Sequence, residues 1–157
     1  MTTRTITVRR RLKAPAEALY ATLTDPERFA GVRGIRSVEV ITEGPDGPAS
    51  AGTVRRVNLT AGFLVEEIVA VQPPTQFDYL IRDAAVSFDH RFGRIEFHDR
   101  GDHTEALWTS TVAFDQPIVG AALAVFAAAG SRLAFATTLR AMDHAALRGT
   151  TAPKGDQ

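Results

Sequence analysis

Cysteine is absent from the 157 residues, which excludes disulfide frameworks, cysteine-based zinc sites and thiol nucleophiles together. Net charge is absent as well, with 18 Lys and Arg set against 18 Asp and Glu. A partner held through a phosphate backbone calls for a basic excess or stripe. The one short cluster, Arg9-Arg10-Arg11, falls on an expected strand and reads as solvated charge. No apolar run reaches the roughly 20 residues needed to span a bilayer. The longest, Ile118 to Gly130, ends at Arg132. Met1-Thr2-Thr3-Arg4 lacks the apolar core of a signal peptide, so a cytoplasmic chain is expected. There is no P-loop, G-x-G-x-x-G or G-x-S-x-G element. The four histidines, His90, His98, His103 and His144, show no metal-ligand spacing. Neither a metal nor a cofactor is expected.

What is present is an ordered set of local signals. Thr5-Ile6-Thr7-Val8 opens a β-branched strand reaching Leu12. Ala14-Pro15-Ala16-Glu17 starts a helix with the apolar stripe Leu19, Tyr20, Leu23, and Asp25-Pro26 starts a second, through Phe29. Gly31 and Gly34 release the chain into a strand at Ser37 to Thr42. Further strands read at Thr53 to Leu59, Phe63 to Val71, Gln76 to Arg82, Phe88 to His98 and Thr104 to Phe114. Their breaks are turn-forming: Gly44-Pro45-Asp46-Gly47-Pro48, Ala61-Gly62, Pro73-Pro74 and Arg100-Gly101-Asp102. Asp115 and Pro117 then open a long apolar helix to Leu147. Strands joined as hairpins with no βαβ crossover give an α+β class with one antiparallel sheet. A single domain is expected over residues 1–148, with a flexible tail at 149–157.

This order, with its residues, resembles the helix-grip superfamily of START-like and Bet v 1-like proteins, in the polyketide cyclase/dehydratase-like branch. Ala14-Pro15-Ala16-Glu17 through Asp25-Pro26-Glu27 is similar to the opening helices, and Gly52-Thr53-Val54-Arg55 to a G-x-x-R strand start. Glu66-Glu67-Ile68, Pro73-Pro74 and Phe77-Asp78-Tyr79 resemble the family's acidic strand, proline turn and aromatic strand. Thr104-Glu105-Ala106-Leu107-Trp108 is similar to its T-x-x-x-W strand. One departure is Ala30-Gly31-Val32, where many relatives carry tryptophan. The resemblance implies a curved sheet of about seven strands around the C-terminal helix, two short helices between strands 1 and 2, and a hydrophobic cavity between sheet and helix.

Alternation along strands then selects candidate lining residues. The last strand offers Trp108, Ser110 and Val112 on its more apolar face, and the one before offers Arg91, Ile95 and Phe97. This leaves His90 outward unless Gly93 marks a bulge. The resemblance places Arg55 and Val57 inward on the third strand and Leu64 and Glu66 inward on the fourth; Tyr79, on the fifth, is a further candidate for hydrogen bonds in the cavity, with Arg91 and Ser110. At 100° per residue the helix turns Leu123, Ala127, Gly130, Ala134, Thr138 and Ala141 to the sheet, flanked by Phe126, Leu133, Phe135 and Met142. Arg132, Arg140 and Asp143 fall opposite. Small residues on that face leave room for a ligand, though they equally permit close packing.

Arg55 and Glu66 are expected to pair inside the cavity, the alternative being a surface arrangement in which Arg56 and Glu67 exchange roles with them. Three functions remain open. The first is binding of a small hydrophobic molecule such as a lipid, polyketide or aromatic metabolite, through Arg55, Val57, Leu64, Glu66, Tyr79, Arg91, Ile95, Phe97, Trp108, Ser110, Val112, Phe126, Gly130, Ala134 and Thr138. The second is a cofactor-free cyclase, dehydratase or isomerase, with Glu66 as general base and Arg55 stabilising a developing anion. The third is a co-chaperone or quinone-delivery accessory. A monomer or homodimer is compatible with each.

Overall fold

The computed structural model describes residues 2–114 and 119–151, with side chains described for 3–113 and 130–149. Its elements run β1 (Thr2–Leu12), α1 (Ala16–Thr24), α2 (Pro26–Ala30), β2 (Ile35–Thr42), β3 (Val54–Leu59), β4 (Gly62–Gln72), β5 (Gln76–Ala84), β6 (Asp89–Asp99), β7 (Thr104–Phe114) and α3 (Val119–Thr151). The seven strands form one antiparallel sheet in the order β1-β7-β6-β5-β4-β3-β2. Chain order is kept except that β1 closes against β7. Together with α3 and the two short helices this is the helix-grip α+β fold.

Local chemistry explains the framework. Ile6, Val8 and Leu12 alternate inward along β1 and are buried. Leu19, Tyr20 and Leu23 form the buried stripe of α1. Asp25 caps α2, its carboxylate accepting from Glu27 N at 2.9 Å and Arg28 N at 3.2 Å. The loop before β3 is tied by Thr53, whose hydroxyl accepts from Gly44 N at 2.9 Å and donates to Gly47 O at 3.0 Å.

The long helix differs from its sequence reading. The expected N-cap, Asp115 with Pro117, lies outside the described residues, and the helix runs past Gly149 to Thr151. Its phase is rotated. Leu139, Met142 and Ala146 are buried, whereas Gly130 is exposed and Leu133 is 71% exposed. Asp143 is not a solvent charge. Its carboxylate accepts from the backbone N–H groups of Lys13 and Ala14 at 2.8 to 3.1 Å, docking the helix on the end of β1. A helix built mainly of alanine and other small residues has little amphipathic contrast, so its sequence fixes its rotation poorly.

Candidate functional site

Between the concave face of the sheet and α3 lies a cavity of about 450 Å³. Ten of the residues expected at a binding site line it: Val57, Leu64, Glu66, Tyr79, Ile95, Trp108, Ser110, Val112, Ala134 and Thr138. Ile6, Leu23, Phe29, Phe77, Ile81, Phe88 and Phe135 supply further apolar wall. The Trp108 and Phe135 rings stack at 4.1 Å between centroids and 5° between planes, joining sheet to helix beside the cavity.

Five expected lining residues stand elsewhere. Arg55 is wholly enclosed, with 0% exposure, and lies behind Glu66 rather than in the cavity. Arg91 points outward, half exposed, and pairs with Asp89 at 2.6 Å. Phe97 is buried in the solid part of the core. Gly130 is on the exposed side of α3. The Phe126 side chain lies outside the described residues.

Arg55 and Glu66 do form the cross-strand pair read from the sequence. They are direct partners in the β3–β4 register, and Nε lies 2.5 Å from Oε1. Arg55 Nη1 donates to Leu23 O at 2.7 Å, tying the end of α1 to the sheet. Its Nη2 has no hydrogen-bond partner. The guanidinium instead lies over the rings of Phe29 at 4.8 Å and Phe77 at 5.4 Å. Glu66 alone of the pair reaches the cavity.

A second polar cluster occupies β5, β6 and β7. A register shift between His90 and Phe92 turns His90 inward and Arg91 out, the reverse of simple alternation. His90 Nδ1 accepts from Ile81 N at 3.0 Å, and Nε2 lies 3.0 Å from Ser110 Oγ. Desolvation pushes the imidazole down to about pKa 4, partly opposed by the Asp89 charge. The Tyr79 ring stacks on His90 at 5.3 Å, and its hydroxyl accepts from Trp108 Nε1 at 2.7 Å. Burial raises the Tyr79 pKa far above that of free tyrosine. Gly93 makes this possible: the Tyr79 ring lies across it, and a Cβ there would overlap Cζ, Cε1 and Cε2. The sequence marks Gly93 as a bulge candidate but holds no signal for its contact with Tyr79. Phe77 and Ile81 are readable from it, since they share the inward face of β5 with Tyr79.

No group of acidic residues and histidines among the described residues is arranged to hold a metal ion. No helix among them is long and apolar enough to cross a membrane.

Known structures share this architecture. The ZhuI aromatase/cyclase from Streptomyces sp. R1128 is 17% identical with a TM-score of 0.73, covering 99% of this chain and 100% of its own. The protein TTHA0849 from Thermus thermophilus is 19% identical with a TM-score of 0.75, covering 94% and 100%. A START superfamily protein from Mycobacterium smegmatis is 18% identical with a TM-score of 0.66, covering 93% and 95%. At these identities the likeness is one of fold. No curated protein matches the chain by sequence. Residues 3–146 match the model of the polyketide cyclase / dehydrase and lipid transport family, and the chain belongs to that family.

Proposed function

We propose that this protein binds a small hydrophobic molecule, a lipid, polyketide or aromatic metabolite, in the cavity between the sheet and α3. The carrying observation is the cavity itself: about 450 Å³, walled by aliphatic and aromatic side chains, with polar groups at only a few points. That volume lies within the range of small-molecule sites, which take their affinity from apolar walls and their orientation from a few polar groups. Membership of a family whose description includes lipid transport supports the same reading.

Native mass spectrometry of freshly purified protein, with organic extraction of whatever is released, tests it. A bound hydrophobic metabolite is the expected result. An empty protein that also gives no thermal shift with fatty acids, flavonoids or fused-ring aromatic ketones would overturn it. A second reading, a cyclase- or isomerase-type reaction, is favoured by Glu66, whose carboxylate faces the cavity. Arg55 takes no direct part in it, because it is sealed behind Glu66. Incubating the extracted molecule with protein separates the two, since a carrier returns it unchanged.

A further inference from the structure

Hydrogen-bond direction in the β5–β7 cluster is set by a group with only one role. The Ile81 backbone N–H donates to His90 Nδ1, so Nδ1 carries a lone pair and the neutral ring holds its proton on Nε2. Nε2–H then donates to Ser110 Oγ. Trp108 Nε1, which can only donate, gives its proton to the Tyr79 oxygen at 2.7 Å. Ser110 Oγ, already receiving from His90, keeps its own proton. Each of the two hydroxyl oxygens thus receives a nitrogen-bound proton. Among the described residues no hydrogen bond gives the Tyr79 or the Ser110 proton an acceptor, and both side chains line the cavity. Burial and the nearby Glu66 charge keep the hydroxyl protonated.

Resting on the ligand-binding reading above, we infer that the Tyr79 hydroxyl, its oxygen held by Trp108, is a hydrogen-bond donor for a carbonyl oxygen on an otherwise apolar ligand, with His90 as the positioning residue for a second donor beside it, Ser110. A carbonyl suits this site because it brings acceptors only. A ligand hydroxyl would also have to send its proton to a further acceptor such as Glu66, and a hydrocarbon would leave Tyr79 unpaired, at a cost comparable to a lost hydrogen bond. Gly93 holds the donor rigidly, since the ring is laid flat over its backbone.

The test compares 2-acetylnaphthalene with 2-ethylnaphthalene, matched in shape and differing in the carbonyl. Affinities are measured by calorimetry, and the bound ketone's carbonyl stretch by infrared spectroscopy. Wild type should prefer the ketone about tenfold and lower its stretch below the value in an apolar solvent. Tyr79→Phe should lose both effects while keeping its affinity for 2-ethylnaphthalene. His90→Leu should weaken the preference and move the stretch back towards the apolar-solvent value. His90→Gln should restore both, because its amide oxygen can accept from Ile81 N and its amide nitrogen can donate to Ser110. Equal affinities in wild type, or an unlowered stretch there, overturn the inference without touching the cavity and need no variant to fold. A preference unchanged in Tyr79→Phe overturns it also. If neither probe binds wild type, the ligand-binding reading fails and takes this inference with it.

Discussion

Two polar clusters are buried in this sheet, and they solve the same problem in opposite ways. Arg55 and Glu66 carry full charges and close on each other, on Leu23 O and on two aromatic faces. His90 with Ser110, and Trp108 with Tyr79, form neutral donor–acceptor pairs. In the charged cluster the cation is sealed and works as an anchor between α1 and the sheet. In the neutral cluster the internal bonds leave the hydroxyl protons of Ser110 and Tyr79 over, at the cavity wall. Desolvation explains the difference: a charge withdrawn from water needs compensation on every side, whereas a neutral hydroxyl can await its partner.

The hardest way to break the contrast is to remove one charge. Arg55→Ala leaves the Glu66 carboxylate buried without its partner and Leu23 O without its donor, and should cost about 3–5 kcal/mol in urea unfolding. The double change Arg55→Met with Glu66→Leu should regain most of that loss, as apolar replacement of a buried ion pair often does. A single variant within about 1 kcal/mol of wild type would show that the pair is solvated. The neutral cluster should instead respond to acid. His90 has its pKa lowered from 6.5 to about 4, so between these values only the unfolded chain takes up the proton. Stability therefore holds above about pH 6.5 and falls as pH drops towards 4, by up to about 3 kcal/mol from this group. Chemical denaturation at pH 7.5 and pH 4.5 should show a smaller fall in His90→Gln, which cannot titrate; parallel curves would contradict the assignment. The smallest effect expected is that of Gly93→Ala. Its methyl meets the Tyr79 ring and should cost about 1–3 kcal/mol. Trp108 is the only tryptophan, so its fluorescence should report the broken bond to Tyr79 directly.

The contrast also explains what the sequence could reveal. Arg55 and Glu66 are legible because they sit on adjacent strands of one hairpin, where a short turn fixes the register. The pairing of consecutive strands from β2 to β7 is legible for the same reason, four of the five connections being marked by glycine or proline. His90 is not, because a one-residue irregularity in β6 exchanges its direction with that of Arg91. Nothing in Asp89-His90-Arg91 marks that irregularity. Sequence puts Arg55 correctly on its strand and wrongly in the cavity, since only packing shows that Phe29 and Glu66 seal it. The phase of α3 escapes for a third reason: its small residues fit several rotations, and the choice rests on contacts such as Trp108 with Phe135 and Asp143 with Lys13.

The pairing of β1 with β7 sets the timing of folding. Thr5 meets Thr111 across 106 positions, and Lys13 N–H reaches Asp143 across 130. Contacts so distant in sequence form slowly, because the intervening chain must be closed before they stabilise anything. As the chain leaves the ribosome, Ile6 and its strand wait without a sheet neighbour until β7 has been made. The enclosed space is therefore one of the last things to appear, and a nascent chain stalled before α3 lacks one of its walls.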